Sequence, residues 1–139
     1  MMLNKIGIEL GKRLMQPINS SLVALLGAYT FLWGLWVLSP WWNVFTTAPL
    51  YSEMAEYPEW AWGLFAIFSG FELLLGVIRN QNRDLRRGAL VGFFHWFIIT
   101  LMYFKGDWHN TGGITALTIS LYCFVIYLNY RRNKDYPPG

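Results

Sequence analysis

Four long apolar runs dominate the chain, separated by shorter stretches where charge and proline return. The first extends from about Ser21 to Leu38 and stops at Ser39-Pro40. The second begins at Pro58, a residue suited to the first turn of a helix, and reaches Ile78 just before Arg79. The third covers Gly88 to Phe104 and the fourth Ile114 to Tyr130. Each run is roughly 17 to 21 residues, long enough to cross a ~30 Å hydrocarbon core as a helix. A segment in lipid must satisfy its own backbone hydrogen bonds, so uninterrupted runs of this length are predicted to be α-helices. The alternation that marks a membrane β-barrel is absent. The pattern predicts an all-α, integral membrane, antiparallel four-helix bundle over residues 19–132.

Outside the runs the periodicity changes. Met2, Leu3, Ile6, Leu10 and Leu14 recur at helical spacing, with Lys5, Glu9, Lys12 and Arg13 between them and Pro17 closing the pattern. Residues 1–18 are therefore expected to form a basic amphipathic helix, lying on the membrane surface or packed on the end of the bundle. The first run is not followed by a small-residue cleavage site but by Pro40-Trp41-Trp42, which argues against a removable signal peptide. The connection from Ser39 to Tyr57 is long and rich in aromatics. Trp36, Trp41, Trp42, Trp60, Trp62 and Trp108 make a predicted aromatic collar at one membrane face, where an apolar ring sits in lipid and its polar atom reaches water. Such a collar reads as an interfacial belt or as a lid and contact surface. The polar tail 133–139, ending Pro137-Pro138-Gly139, is expected to be flexible.

Composition sharpens the class. Of 139 residues, 55% are hydrophobic and only 14% charged, well below the roughly 25% charged of soluble domains. The few cations are sorted by connection. Lys5, Lys12 and Arg13 precede the first run, Arg79, Arg83, Arg86 and Arg87 divide the second from the third, and Arg131, Arg132 and Lys134 follow the fourth. All three groups fall on one side, while Lys105 is the lone basic residue on the other. The positive-inside rule then predicts both termini in the cytoplasm. So strong a bias excludes a dual-topology multidrug transporter, which would also need a carboxylate in its first span. The cations form no basic face, so nucleic acid is not an expected partner. Cys123, the lone cysteine, has no intrachain partner for a disulfide.

Small residues mark where helices can meet. Gly88 and Gly92 stand four apart in the third run, as do Gly112, Ala116 and Ser120 in the fourth, and Ala66 and Gly70 in the second. Such steps let helix backbones approach closely in lipid, within one chain or between copies.

Apart from Glu59 in the first turn of the second run, Glu72 is the one charged residue inside a run, and intramembrane carboxylates face a bundle interior or an aqueous path. Counted from Arg79 it lies ~10 Å deep, and His95, counted from Arg87, about 12 Å. Tyr29 and Tyr122 come out at ~14 Å by the same rise. Glu72, His95, Tyr29 and Tyr122 thus form a predicted polar layer. It either fixes helix register by hydrogen bonds or handles a proton or cation between Glu72 and His95. No catalytic residues, metal cluster or cofactor-binding motif stand out, and His109 is too far from His95 for one haem to use both. An enzyme is not expected.

The segments Thr47-Ala48-Pro49-Leu50-Tyr51, Gly106-Asp107-Trp108 and Asn110-Thr111-Gly112-Gly113 are the most individual in the chain. With the four-span layout, they resemble small uncharacterised membrane proteins of tailed bacteriophages. That resemblance implies a membrane effector inserted into a bacterial inner membrane during infection, acting by self-association or on a host membrane protein, through permeabilisation or exclusion of a competing phage. It implies no functional residues. Two other roles stay open: a proton or cation channel or carrier using Glu72 and His95, and an accessory subunit of a larger membrane complex.

Overall fold

The computed structural model describes residues 2–14, 18–40, 44–46 and 49–132. Trp41, Trp42, Thr47, Ala48, Pro17 and the tail 133–139 lie outside the described residues. Five α-helices account for nearly all of the rest: α1 (Met2–Leu14), α2 (Ser20–Val37), α3 (Glu59–Arg79), α4 (Asn82–Gly106) and α5 (Gly112–Arg132). The last four are each long and apolar enough to span a membrane. They run antiparallel in chain order, and the Tyr130 hydroxyl donates to the carbonyl of Ile18 at 3.2 Å, bringing the start of α2 and the end of α5 to one end.

Local chemistry sets the helix limits. Asn19 caps α2 by accepting from the Ser21 amide at 2.9 Å. At the end of α3, Asn80 takes a left-handed conformation (φ 55°). Gln81 N–H then donates to Gly76 O and Asn80 N–H to Val77 O, the paired bonds that close a helix C-terminus. The chain re-enters α4 at once, so the arginines at 83, 86 and 87 are helical. The helix therefore starts well before the apolar run at Gly88, because guanidinium groups reach water from a helix that is still inside the interface. Between α4 and α5, Asn110 braces the turn, its amide donating to Tyr103 O at 2.8 Å and its carbonyl accepting from Gly113 N–H at 2.7 Å.

α2 packs on α3, α3 on α4 and α4 on α5. Glycines set the distance at which they meet. A Cβ on Gly70 would come within 2.5 Å of Phe31 N and 2.6 Å of Gly27 O, and one on Gly34 within 2.7 Å of Gly63 O. On α4, a Cβ on Gly88 would meet Leu73 N at 2.8 Å, and one on Gly92 would strike the Ser69 hydroxyl at 2.7 Å. Hydroxyls complete these seams: Ser69 of α3 donates to Gly88 O at 2.9 Å, and Ser120 of α5 donates to Phe93 O at 3.0 Å. Trp96 is the largest fully buried side chain among the described residues, and its indole N–H donates to Thr30 of α2 at 3.3 Å. Through these bonds α4 is tied to each of the other three spans.

The long connection after α2 folds back as three short 3-10 turns, Val44–Thr46, Pro49–Tyr51 and Met54–Glu56. Phe45 and Met54 are buried beneath it, and Lys105 pairs with Glu53 at 2.5 Å across it. α1, by contrast, leaves Met2, Leu3, Ile6, Ile8 and Leu10 exposed. Its apolar side has no bundle to cover it, which fits a helix lying on a lipid surface.

Gly70→Leu is expected to push α2 off α3 and lower the melting temperature in detergent, a loss of about 1–3 kcal/mol typical of overpacking. Gly7→Ala, where an added Cβ meets nothing within 4 Å, should leave the melt unchanged or raise it slightly.

Candidate functional site

The four residues of the predicted polar layer occupy three separate places. Glu72 is buried in the seam between α3 and α4, where its Oε2 lies 3.6 Å from Arg87 Nε. That contact is an ion pair rather than a hydrogen bond, since Oε2 has no hydrogen-bond partner among the described residues. The Glu72 side chain is 11% exposed and that of Arg87 47%, so the pair runs from the bundle interior to its surface. This contact corrects the depth match with His95. The match took Arg87 as the membrane boundary, whereas Arg87 sits inside α4 at the level of Glu72. His95 is eight residues further along the same helix, about 12 Å at 1.5 Å per residue.

His95 stands among indoles. Its ring centroid is 5.4 Å from those of Trp33 and Trp96, both edge-on, and 6.5 Å from that of Trp62. Three helices supply this surround: α2 gives Trp33, α3 gives Trp62 and α4 carries His95 and Trp96. The Trp62 N–H is fixed by the Met54 carbonyl at 3.2 Å, so the folded loop helps to place the cage. His95 is 5% exposed, and its Nε2 is buried without a hydrogen-bond partner among the described residues. On its lipid side it lines an almost wholly apolar crevice of about 430 Å³ with Tyr57, Phe65 and Phe94.

Tyr29 and Tyr122 belong to neither place. They face a groove between α2 and α5, two helices that scarcely touch. Near the loop end the groove is a cleft of about 450 Å³ lined by Tyr29, Trp33, Tyr51, Trp96, Tyr103 and Thr115. Tyr29 stacks on Trp96 at 5.7 Å and Tyr51 meets Tyr103 edge-on at 5.6 Å. Towards the other end the groove continues past Leu22, Leu25, Ile119 and Tyr122. Its two stretches differ in character, hydroxyl-rich near the loop and aliphatic beyond.

The aromatic collar divides as well. Trp36, Trp60 and Trp108 are exposed, at 55%, 61% and 75%, and suit a membrane interface. Trp62 is turned inward towards His95. Of the small-residue stripes, Gly88, Gly92, Ala66, Gly70 and Ser120 lie in seams within the chain, while Gly112 and Ala116 also border the groove.

Sequence reasoning missed Thr30, Ser69 and Trp96 as organising residues. Their signal was available in part: a buried hydroxyl within an apolar run has only a carbonyl or another side chain to bond. The turn motif Asn110-Thr111-Gly112-Gly113 proves to have a local structural cause. A Cβ on Gly113 would lie 2.8 Å from the Phe104 ring, so a larger residue there would have to displace that ring. No protein-family profile, curated protein or solved structure matches the chain.

The geometry predicts which residues are energetically coupled. A double-mutant cycle on Glu72→Gln and Arg87→Gln should return a coupling of roughly 0.5–1 kcal/mol in a detergent melt, modest because the arginine is half exposed. Glu72→Gln and His95→Gln, far apart on the bundle, should be additive.

Proposed function

We propose that the chain is a small polytopic membrane effector that acts by helix–helix association within the bilayer, seated in the groove between α2 and α5. One observation carries the reading: the bundle is open on that side. A four-helix bundle ordinarily closes its first helix on its last. Here both helices hold instead to α3 and α4, and the gap is floored by the buried Trp96. Gly112, Thr115 and Ala116 stand along the α5 wall, and small side chains of this kind admit a neighbouring helix closely. Tyr29, Tyr103 and Thr115 offer hydroxyls to a partner that carries its own polar groups.

The resemblance to small tailed-phage membrane proteins supplies a setting. In that setting the membrane is a bacterial inner membrane with both termini cytoplasmic, and the occupant is a second copy or a host membrane protein. Permeabilisation would follow from assembly of copies, and exclusion from capture of a host protein. An accessory-subunit role differs only in having a permanent partner. Conduction through Glu72 and His95 draws less support, because Glu72 is matched to Arg87 and His95 is enclosed by indoles.

Cross-linking in native membranes tests this reading. With Cys123→Ala as background, Thr115→Cys at the groove should give disulfide-linked dimers, or a cross-link to a host membrane protein, on mild oxidation. Leu64→Cys, on a lipid-facing side of α3 that is 51% exposed, should give neither. Equal reaction at both positions, or none at Thr115→Cys, would overturn docking in the groove.

A further inference from the structure

At the end opposite the folded loop, α4 carries Arg83, Arg86 and Arg87 within its first two turns. With Leu90 and with Tyr127 of α5 they line a small pocket of about 150 Å³. Steps of three and four residues bring positions 83, 86, 87 and 90 onto one helix face. Three guanidinium groups so close together repel one another unless an anion shares them. Glu72 answers Arg87 from inside the bundle, at 3.6 Å. Asp84, one step of three before Arg87, is buried at 7% exposure and does not line the pocket. Two cations at the pocket therefore have no carboxylate to balance them among the described residues that line it. Arg86 Nε is moreover buried without a hydrogen-bond partner among the described residues.

The chemistry of the pocket selects its ligand. Guanidinium forks match the oxygens of a phosphate, which they can grip by two parallel hydrogen bonds. The site sits where α4 passes from its basic first turns to its apolar run, and long guanidinium side chains there can extend to the level of lipid phosphates. It is open sideways, with Arg83, Arg87 and Leu90 exposed. Leu90, one step further into the apolar stretch, offers a surface for the first methylenes of an acyl chain. Basic pockets between spans at such a level are suited to acidic lipid headgroups. We infer that Arg83, Arg86, Arg87 and Tyr127 form a binding site for the phosphodiester headgroup of an anionic phospholipid. The site is separate from the groove between α2 and α5, and it does not rest on the docking role of that groove.

A free phosphate anion shares the same chemistry, so the experiment must separate the two sources. Full-length protein in neutral detergent is titrated with phosphatidylglycerol, phosphatidylcholine or inorganic phosphate, and bound lipid is counted by native mass spectrometry beside a thermal melt. Phosphatidylglycerol should remain bound under activation that strips phosphatidylcholine and should raise the melting temperature, while inorganic phosphate should not. Arg83→Gln/Arg86→Gln should weaken phosphatidylglycerol binding about thirtyfold, the order set by removal of two near-surface cations. Lys5→Gln/Lys12→Gln, which removes the same charge from α1, should leave that binding in place. Equal retention of the two lipids would overturn the site. So would unchanged phosphatidylglycerol binding in the Arg83→Gln/Arg86→Gln protein at a normal melt. An equal melt shift with inorganic phosphate would overturn the lipid assignment.

Discussion

Close backbone contact along α4 is the constraint on which the rest of the structure depends. In a bilayer the lipid tails are as apolar as the side chains, so helices are held by packing and by polar bonds rather than by expulsion of water. α4 meets α3 at Gly88 and Gly92, and Ser69 crosses that seam to the Gly88 carbonyl. It meets α5 through the Ser120 bond to the Phe93 carbonyl, and α2 through the indole of Trp96 on Thr30. α2 in turn rests on α3 where Gly27 and Gly34 oppose Gly70 and Gly63. With α3 and α4 as the middle of the assembly, α2 and α5 are held to opposite flanks and leave a groove between them.

The same arrangement sorts polar groups by place. One end is cationic, with the α4 arginines projecting from a helix that continues through the interface and only Arg87 drawn towards a buried carboxylate. The other end is aromatic, with a folded loop that buries Phe45 and Met54 and anchors Trp62. Between them His95 is enclosed by rings that also floor the groove, since Trp33 and Trp96 touch both the histidine and the cleft. A partner seated in the groove would thus press on residues that hold His95, although the two places open on different sides of the bundle. The contact through Trp33 and Trp96 gives a physical route by which docking on one flank could alter the crevice on the other.

The groove, the arginine pocket and the uncovered α1 are the three surfaces on which the proposed association within the membrane would rest. The arginine pocket would orient the molecule against a charged leaflet, and α1 would lie on that leaflet with its apolar residues in the acyl boundary.

The sequence by itself determined the four spans, the amphipathic segment before them and the separation of basic from aromatic connections. Each follows from hydropathy, length and the cost of burying charge, and these act residue by residue along the chain. The glycine and serine stripes were legible for the same reason, because only small residues admit a neighbouring backbone. What the tertiary structure alone decided was rotation and register. Hydropathy is nearly uniform around α2 and α5, so nothing local says which side of Tyr29 or Tyr122 meets protein. Depth counted from the arginines mispaired Glu72 with His95, because a long guanidinium side chain can reach water from inside the membrane interface. The partner of a buried carboxylate is fixed by where two helices touch, and α3 and α4 touch beside this pair, where Gly88 meets Leu73 and Ser69.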